Sequence, residues 1–349
     1  MRTPTSTPYS LHPGVGGGAS ALVLPLGGSR SPASISCVVP CFNEARNLEL
    51  LVPLLQQELA RLAPRWEIVL VDDGSTDDSE QVIQRLVRLP GVKALLLSRN
   101  FGKEAALTAG MQAAHGDVVV LMDADMQHPP EFIASMLQEW RKGADMVYAF
   151  RGSRMDESLL KRCGTGLVYR LLNSNPRVQV PEGAGDFRLM SREVVEAVLA
   201  LPERTRFMKG LYAWVGFRTV GLEYEPPPRA NGQSRFDVRA LVGLAMSGIT
   251  AFTTWPLRML STVGALLAIP AFVYGAYLVF SYFMYAHPIS GWTTIVVCML
   301  FFFGIQMLCL GVLGEYIARI FEEVKGRPVY LVRRELGVGL GAERGVRAS

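Results

Sequence analysis

From Ile35 the chain alternates short β-rich apolar runs with helix-period patterns. The runs are Ile35–Val39, Glu67–Val71, Ala94–Leu97, Val118–Met122 and Met146–Phe150. Between the first two, Leu48, Leu51, Val52, Leu55, Leu59 and Leu62 share one helical face, and Asn43 is the expected N-cap. Val82, Ile83, Leu86 and Val87 mark a second helix after Asp78, and Glu104 to Ala114 suits a third. Strands alternating with helices predict an α/β fold: a Rossmann-like, mostly parallel sheet covered on both faces. Ligands of such sheets bind at the carboxyl ends of the strands, where the strand order switches.

From about Arg235 the pattern turns long and helical. Phe236–Trp255 reads as amphipathic and interfacial. Leu260–Ala286 and Trp292–Leu313 are each long enough to span a bilayer, which takes about 20 apolar residues. The turn between them is His287-Pro288-Ile289-Ser290-Gly291, with Tyr282, Tyr285 and Trp292 clustered there as in an aromatic belt. The expected organisation is a disordered extension over 1–33, a cytosolic α/β domain over 34–234 and juxtamembrane helices over 235–257. Two transmembrane helices over 258–314 and a cytosolic tail over 315–349 complete it.

Composition sharpens this division. Of 349 residues, 50% are hydrophobic and only 19% charged. The charges are uneven: the 56 residues from Met259 to Gly314 hold no Asp, Glu, Lys or Arg. Arg235, Arg239 and Arg258 precede that stretch; Arg319, Lys325, Arg327, Arg333 and Arg334 follow it. Both flanks are therefore expected on the cytoplasmic side of a multi-pass membrane protein, with the turn facing out. The first 33 residues are rich in Pro, Gly, Ser and Thr, and Ala21–Leu26 is too short for a signal peptide. The Gly14–Ala19 match to a dinucleotide fingerprint follows no strand and is compositional. A net charge of +4, with no zinc-finger spacing or basic run, gives no reason to expect nucleic acid. The five cysteines form no CxxC pair and read as reduced thiols.

Carboxylates recur at strand ends. Asp72 and Asp73 close one apolar run before the turn Gly74-Ser75-Thr76-Asp77. Asp73 can accept hydrogen bonds from a base or a ribose, whereas Ser75, Thr76 or Asp77 can simply cap the next helix. Asp123-Ala124-Asp125 closes another run, and two such carboxylates can hold a hard divalent cation, Mg²⁺ or Mn²⁺, that also bridges two phosphates. His128 reads as a loop residue before Pro129-Pro130. Asp186, in Gly185-Asp186-Phe187-Arg188-Leu189, can position an acceptor or act as a base; the competing reading is an ion pair with Arg188. Arg151, Arg154, Lys161, Arg206, Arg229 and Arg235 offer phosphate contacts or form a solvated basic surface.

Together these segments resemble family 2 glycosyltransferases of the GT-A fold, in the polyprenyl-phosphate branch, and in particular its bacterial bactoprenol-phosphate glucosyltransferases. The segments are Val38–Glu44, Asp72–Ser75, Asn100-Phe101-Gly102-Lys103, Asp123–Asp125, Gly185–Leu189, Gly232-Gln233-Ser234-Arg235 and Gly314-Glu315-Tyr316-Ile317. The resemblance implies that Pro40, Phe42, Glu44, Val71 and Asp73 cradle the nucleoside of a nucleotide-sugar. It places Asp123, Ala124, Asp125 and Gln127 around the diphosphate and metal, with Asp125 the principal ligand. Asp186 falls at the acceptor end, and Arg151, Arg229 and Arg235 contact donor or lipid phosphates. Phe42 stands where a Tyr is commoner and His128 where an acid is frequent, which leaves the nucleotide open. The implied reaction is inverting, metal-dependent transfer of a hexose, from a UDP-sugar ahead of GDP-mannose, to polyprenyl phosphate for cell-envelope glycan modification. The resemblance also makes the expected membrane the bacterial inner membrane. A processive polysaccharide synthase lacks support, because its Gln-x-x-Arg-Trp motif is absent. A non-catalytic nucleotide-binding scaffold would tolerate loss of Asp123 and Asp125, yet both are present. Gly304, Gly311 and Gly314 suggest helix packing in a homo-oligomer.

Overall fold

A computed structural model describes residue 32, residues 34–151, 184–204, 206–224 and 291–340, and scattered positions between 259 and 284. In chain order the strands are β1 (Ser34–Cys41), β2 (Arg65–Asp72), β3 (Val92–Leu97), β4 (Val118–Leu121), β5 (Met146–Arg151), β6 (Ala184–Ser191), β7 (Thr219–Tyr224) and β8 (Val332–Gly337). The helices are α1 (Ala45–Leu62), α2 (Ser79–Leu86), α3 (Lys103–Ala113), α4 (Phe132–Arg141), α5 (Arg192–Ala200), α6 (Met208–Trp214) and α7 (Trp292–Lys325).

The eight strands form one sheet in the order β7-β5-β6-β4-β1-β2-β3-β8. Pairings β1–β2, β2–β3, β1–β4 and β5–β7 are parallel; β4–β6, β5–β6 and β3–β8 are antiparallel. Side chains alternate faces along each strand, so two cores form. Ile35, Cys37 and Val39 of β1 pack with Leu48, Leu51 and Leu55 of α1, Ile83 of α2 and Ile133 of α4. Val38, Val69 and Val71 pack with Ala106 and Leu107 of α3, Val194 of α5 and Leu211 of α6. The result is a three-layer sandwich. The chain runs from β1 outward to β3, then crosses back to lay β4 on the other side of β1. That reversal opens a crevice at the carboxyl ends of β1 and β4.

Three local expectations change. Asn43 is not the N-cap of α1: the helix begins at Ala45 with Glu44 before it, and Asn43 adopts a left-handed conformation, φ 58°. Its amide oxygen is spent across the cleft edge instead, accepting from the backbone N–H groups of Thr76 (2.8 Å) and Asp77 (3.3 Å). The last helix does not stop at Gly314. α7 continues to Lys325 and ends at left-handed Gly326. Nor is the chain beyond it only a tail, because Val332–Gly337 pairs antiparallel with β3 and closes that sheet edge.

At 1.5 Å per residue the 34 residues of α7 extend about 51 Å, more than a hydrocarbon core of about 30 Å. Phe301–Lys325 is long and apolar enough to cross a membrane, and Phe301, Phe303, Met307, Leu310, Leu313 and Ile317 are all exposed. Among the described residues it is the one helix that meets that test. The expected first span falls mostly outside the described residues; the positions described there are helical. The expected extension over 1–33, apart from residue 32, and the interfacial helix at 236–255 lie outside them.

Candidate functional site

The crevice is a cleft of about 420 Å³ lined by the loops that leave four consecutive parallel strands. Pro40, Cys41, Phe42 and Glu44 come from the end of β1, and Asp73 from the end of β2. Asn100, Gly102 and Lys103 follow β3, and Asp123, Ala124 and Asp125 follow β4. Residues far apart in the chain converge because all four strands point the same way.

Phe42 is 43% exposed, an open apolar face at the cleft rim suited to stacking on a planar ring. Asp73 is buried, and its carboxylate accepts from the backbone N–H groups of Phe101 (2.8 Å) and Gly102 (2.9 Å). It therefore fixes the β3–α3 loop as well as lining the cleft. Burial raises its pKa against the pull of those two N–H groups. Asp72 turns away and accepts from the N–H and hydroxyl of Ser75. Asp77 accepts from the Ser79 N–H at 3.0 Å just before α2, whose N-cap position is Asp78. The Cys41 thiol faces the cleft region but is buried, donates to the Val71 carbonyl at 3.4 Å, and has its pKa pushed up by burial and then by Asp72. It is an unreactive thiol.

On the other side of the crevice, Asp123 and Asp125 leave β4 on a tight turn. Met126 takes the left-handed conformation, φ 61°, and the Gln127 N–H donates to Asp125 Oδ1 at 3.1 Å. Asn43 and Met126 are the two non-glycine residues with positive φ among the described residues, and both sit on cleft loops. Such conformations cost about 1–2 kcal/mol and persist where the site requires them. The Glu44 carboxyl has its pKa raised, first by burial and then, against its bond from Asn47, by the charges of Asp125, Asp77 and Asp123. The acidic wall thus disfavours its own negative charge and gains from a cation.

Lys103 supplies one positive charge. Its ammonium lies 2.7 Å from Asp123 Oδ1 and 2.7 Å from Asp186 Oδ2, bridging the two carboxylates. Burial works against the ammonium, but Asp186 and Asp123 outweigh it and raise the Lys103 pKa. Asp186 reaches this point because Asp186, Arg188 and Met190 share the α3-facing side of β6, while Phe187 and Leu189 enter the opposite core. Burial alone would raise the Asp186 pKa; Lys103 and then Lys209 overcome it and hold it below the ordinary value. The expected Asp186–Arg188 ion pair is replaced by this contact. Arg188 is buried, stacks on Tyr212 at 3.7 Å and donates to the Gly185 carbonyl at 2.8 Å.

Other sequence candidates divide. Val71 does not face the cleft: its side chain is fully buried on the α3 side, because strand alternation turns it inward next to Val38. Gln127 follows the acidic turn but does not line the cleft. His128 is buried, stacked on Phe187 at 4.8 Å within a group that includes Phe132 and Tyr224, rather than sitting in an open loop. Arg151 ends β5, opposite Tyr224, with its side chain outside the described set; Arg229 and Arg235 also lie outside the described residues. Lys103, Asn100 and Glu104 gained no role from the sequence, although Asn100–Lys103 follows a strand end, where lining residues are expected.

The donor set for a metal is two hard carboxylates at a strand end, with no third acid among the described residues grouped to complete a cage. That chemistry fits Mg²⁺ or Mn²⁺ taking its remaining ligands from phosphates and water. Asp123 would have to share such an ion with Lys103.

Comparison with known proteins places this geometry among relatives. The glycosyl transferase family 2 profile matches residues 36–199. The prophage-derived bactoprenol glucosyl transferase of Shigella flexneri is 43% identical over 302 residues, 86% of this chain and 97% of that one. An uncharacterised glycosyltransferase of Synechocystis is 40% identical over 85% of this chain and 94% of its own length. Among solved structures, glucosyl-3-phosphoglycerate synthase from Mycobacterium tuberculosis is 22% identical with a TM-score of 0.42, over 63% of this chain and 79% of that one.

Proposed function

Since the chain belongs to glycosyl transferase family 2, we propose that it transfers a hexose, glucose from UDP-glucose, to a polyprenyl phosphate at the cytoplasmic face of a bacterial membrane. One observation carries the reading. The cleft joins a stacking face, an acidic turn and the Lys103–Asp186 bridge in a chain whose α7 can enter the bilayer. The names of its bactoprenol glucosyl transferase relatives supply the sugar and the lipid class.

In this reading Phe42 stacks on the base, and Asp73 holds the loop that shapes the nucleoside end. Asp123 and Asp125 would hold Mg²⁺ or Mn²⁺ against the diphosphate, with Gln127 beside them. The metal supplies charge stabilisation for the departing diphosphate when bound. Lys103 adds a positive charge between the donor and acceptor sides. A lipid phosphate oxygen attacks the anomeric carbon, the bond to the diphosphate breaks, and the anomeric configuration inverts. The phosphate monoester is already anionic near neutral pH, so Asp186, held ionised by Lys103, orients the acceptor and need not remove a proton. Arg151, Arg229 and Arg235 are assigned to phosphate contacts.

The test is a donor screen with full-length protein, undecaprenyl phosphate, Mg²⁺ or Mn²⁺, and each common UDP- and GDP-sugar. Nucleotide diphosphate release and lipid mass are followed together. The expected result is a lipid-phosphate hexose from UDP-glucose that disappears with EDTA and with Asp125→Ala. Product from GDP-mannose instead would reassign the donor. A nucleotide that binds but never turns over would favour the scaffold.

A further inference from the structure

Glu104 follows Lys103 at the start of α3. Left-handed Gly102, φ 97°, precedes the helix; Lys103 lines the cleft, and Glu104 interacts with Asp186 of β6 and Lys209 of α6. The charged and titratable groups facing it are Asp186 and Arg188 of β6, Lys209 and Tyr212 of α6, and its neighbour Lys103. The Met208 N–H, at the first turn of α6, faces the carboxyl group and favours its charged form. Glu104 Oε2 is buried and accepts no hydrogen bond among the described residues; Arg188 Nε and Tyr212 OH in the same cluster are likewise buried without partners there. Buried polar groups are normally paired, so an unpaired carboxyl oxygen with two further unpaired atoms in its cluster marks a place where packing was not the only constraint. Burial, and then the charge of Asp186, raise Glu104 from 4.5 to about 7 against the pull of Lys103 and Lys209.

We propose that Glu104 is a positioning residue for the acceptor: by carrying a proton it spares the Lys103–Asp186 site one negative charge, and so favours entry of an anionic phosphate monoester. This rests on the reading of Asp186 as the acceptor end. An ionised Glu104 would offset part of the positive field of Lys103, Lys209 and Arg188, raising the KM for the lipid phosphate while leaving kcat little changed.

The experiment compares wild type with Glu104→Gln, measuring KM for undecaprenyl phosphate and kcat from pH 6 to 8.5. Titration of the lipid phosphate is common to both proteins, so their difference isolates Glu104. The expected result is equal KM near pH 6 and a three- to tenfold lower KM for the variant near pH 8, with kcat within about twofold. Glu104→Asp, which keeps a titratable carboxyl group, should retain the wild-type rise and serves if the Gln variant does not fold. Superimposable KM profiles, or a loss confined to kcat, would overturn the proposal. If wild type transfers nothing to a lipid phosphate, the reading of the function fails instead. Melting midpoints then decide. A folded-state value raised from 4.5 to about 7 means that wild type should lose stability relative to Glu104→Gln between about pH 5 and 7 and stay lower above. Parallel curves would show that Glu104 does not carry the proton.

Discussion

Individual side chains here hold more than one duty. Asp73 lines the cleft and also receives two backbone N–H groups, so its removal should cost fold as well as function. Asp73→Asn keeps the shape but offers only one acceptor atom and turns an amide N–H₂ toward a donor. A loss of about 2 kcal/mol is expected, read as a lower melting midpoint, together with a raised KM for the nucleotide-sugar. Asp125→Asn should fold normally and lose transfer by on the order of 100-fold or more, because charge stabilisation of the leaving group is lost. Lys103→Met removes the ammonium between Asp123 and Asp186 and should lower kcat by about 100-fold; wild-type activity in that variant would make the bridge a bystander. The acidic turn was legible in the sequence because it follows an apolar strand run. Lys103 was not, since its partners lie 20 and 83 positions away and only folding brings them together. Val71 shows the reverse: likeness to the family brought it into the nucleoside cradle, and simple alternation along β2 turns it into the core.

At the scale of elements, α3 carries both Lys103 and Glu104, so its seat on the sheet decides their placement. Gly110 makes that seat possible. A Cβ there would collide with Val38 Cγ1 and crowd Val71. Helix propensity alone predicts that Gly110→Ala gains about 1 kcal/mol. Overpacking of about 1–3 kcal/mol should win, lowering the melting midpoint and displacing Lys103 from the cleft. Thermal unfolding and transfer activity of the same preparation check this; a stabilised, fully active variant would refute it. The apolar periods foretold β1 to β5 and α1 to α3 to within about two residues, but not α4. They said nothing of β8, whose sequence Val-Arg-Arg-Glu-Leu-Gly is mostly exposed and has no apolar stripe. Its pairing comes from backbone hydrogen bonds to β3 and from the ion pairs Lys93–Glu335 (2.5 Å) and Arg333–Glu80 (2.6 Å).

For the whole molecule, the chain that leaves α7 returns to the catalytic domain and is tied to it at several points. The Arg204 N–H donates to Glu323 Oε1 at 2.9 Å, Tyr330 OH to Gln112 Oε1 at 2.6 Å, and the Leu340 N–H to Glu67 Oε2 at 2.9 Å. With β8 these contacts hold the cleft at a set relation to the end of α7. Ending the chain after Gly326 removes β8 and leaves β3 as a bare sheet edge. The truncated protein should aggregate or melt earlier and lose lipid transfer, as size-exclusion chromatography and an activity assay would show. The two-span reading predicts that a cysteine placed at Ser290 reacts with a membrane-impermeant thiol reagent from outside intact cells. Labelling only after lysis would mean the turn lies inside.

The amino-acid sequence by itself determined the alternation of strands and helices, the acidic turns at strand ends and the long stretch without charged residues. These are local properties, written in side-chain period and in short spacings. The tertiary structure decided which of those carboxylates meet. Parallel strands bring four loops to one edge, alternation along β6 aims Asp186 at Lys103, and β8 binds through its backbone. Long-range pairing of this kind depends on strand order and register, and no short window of the sequence contains either.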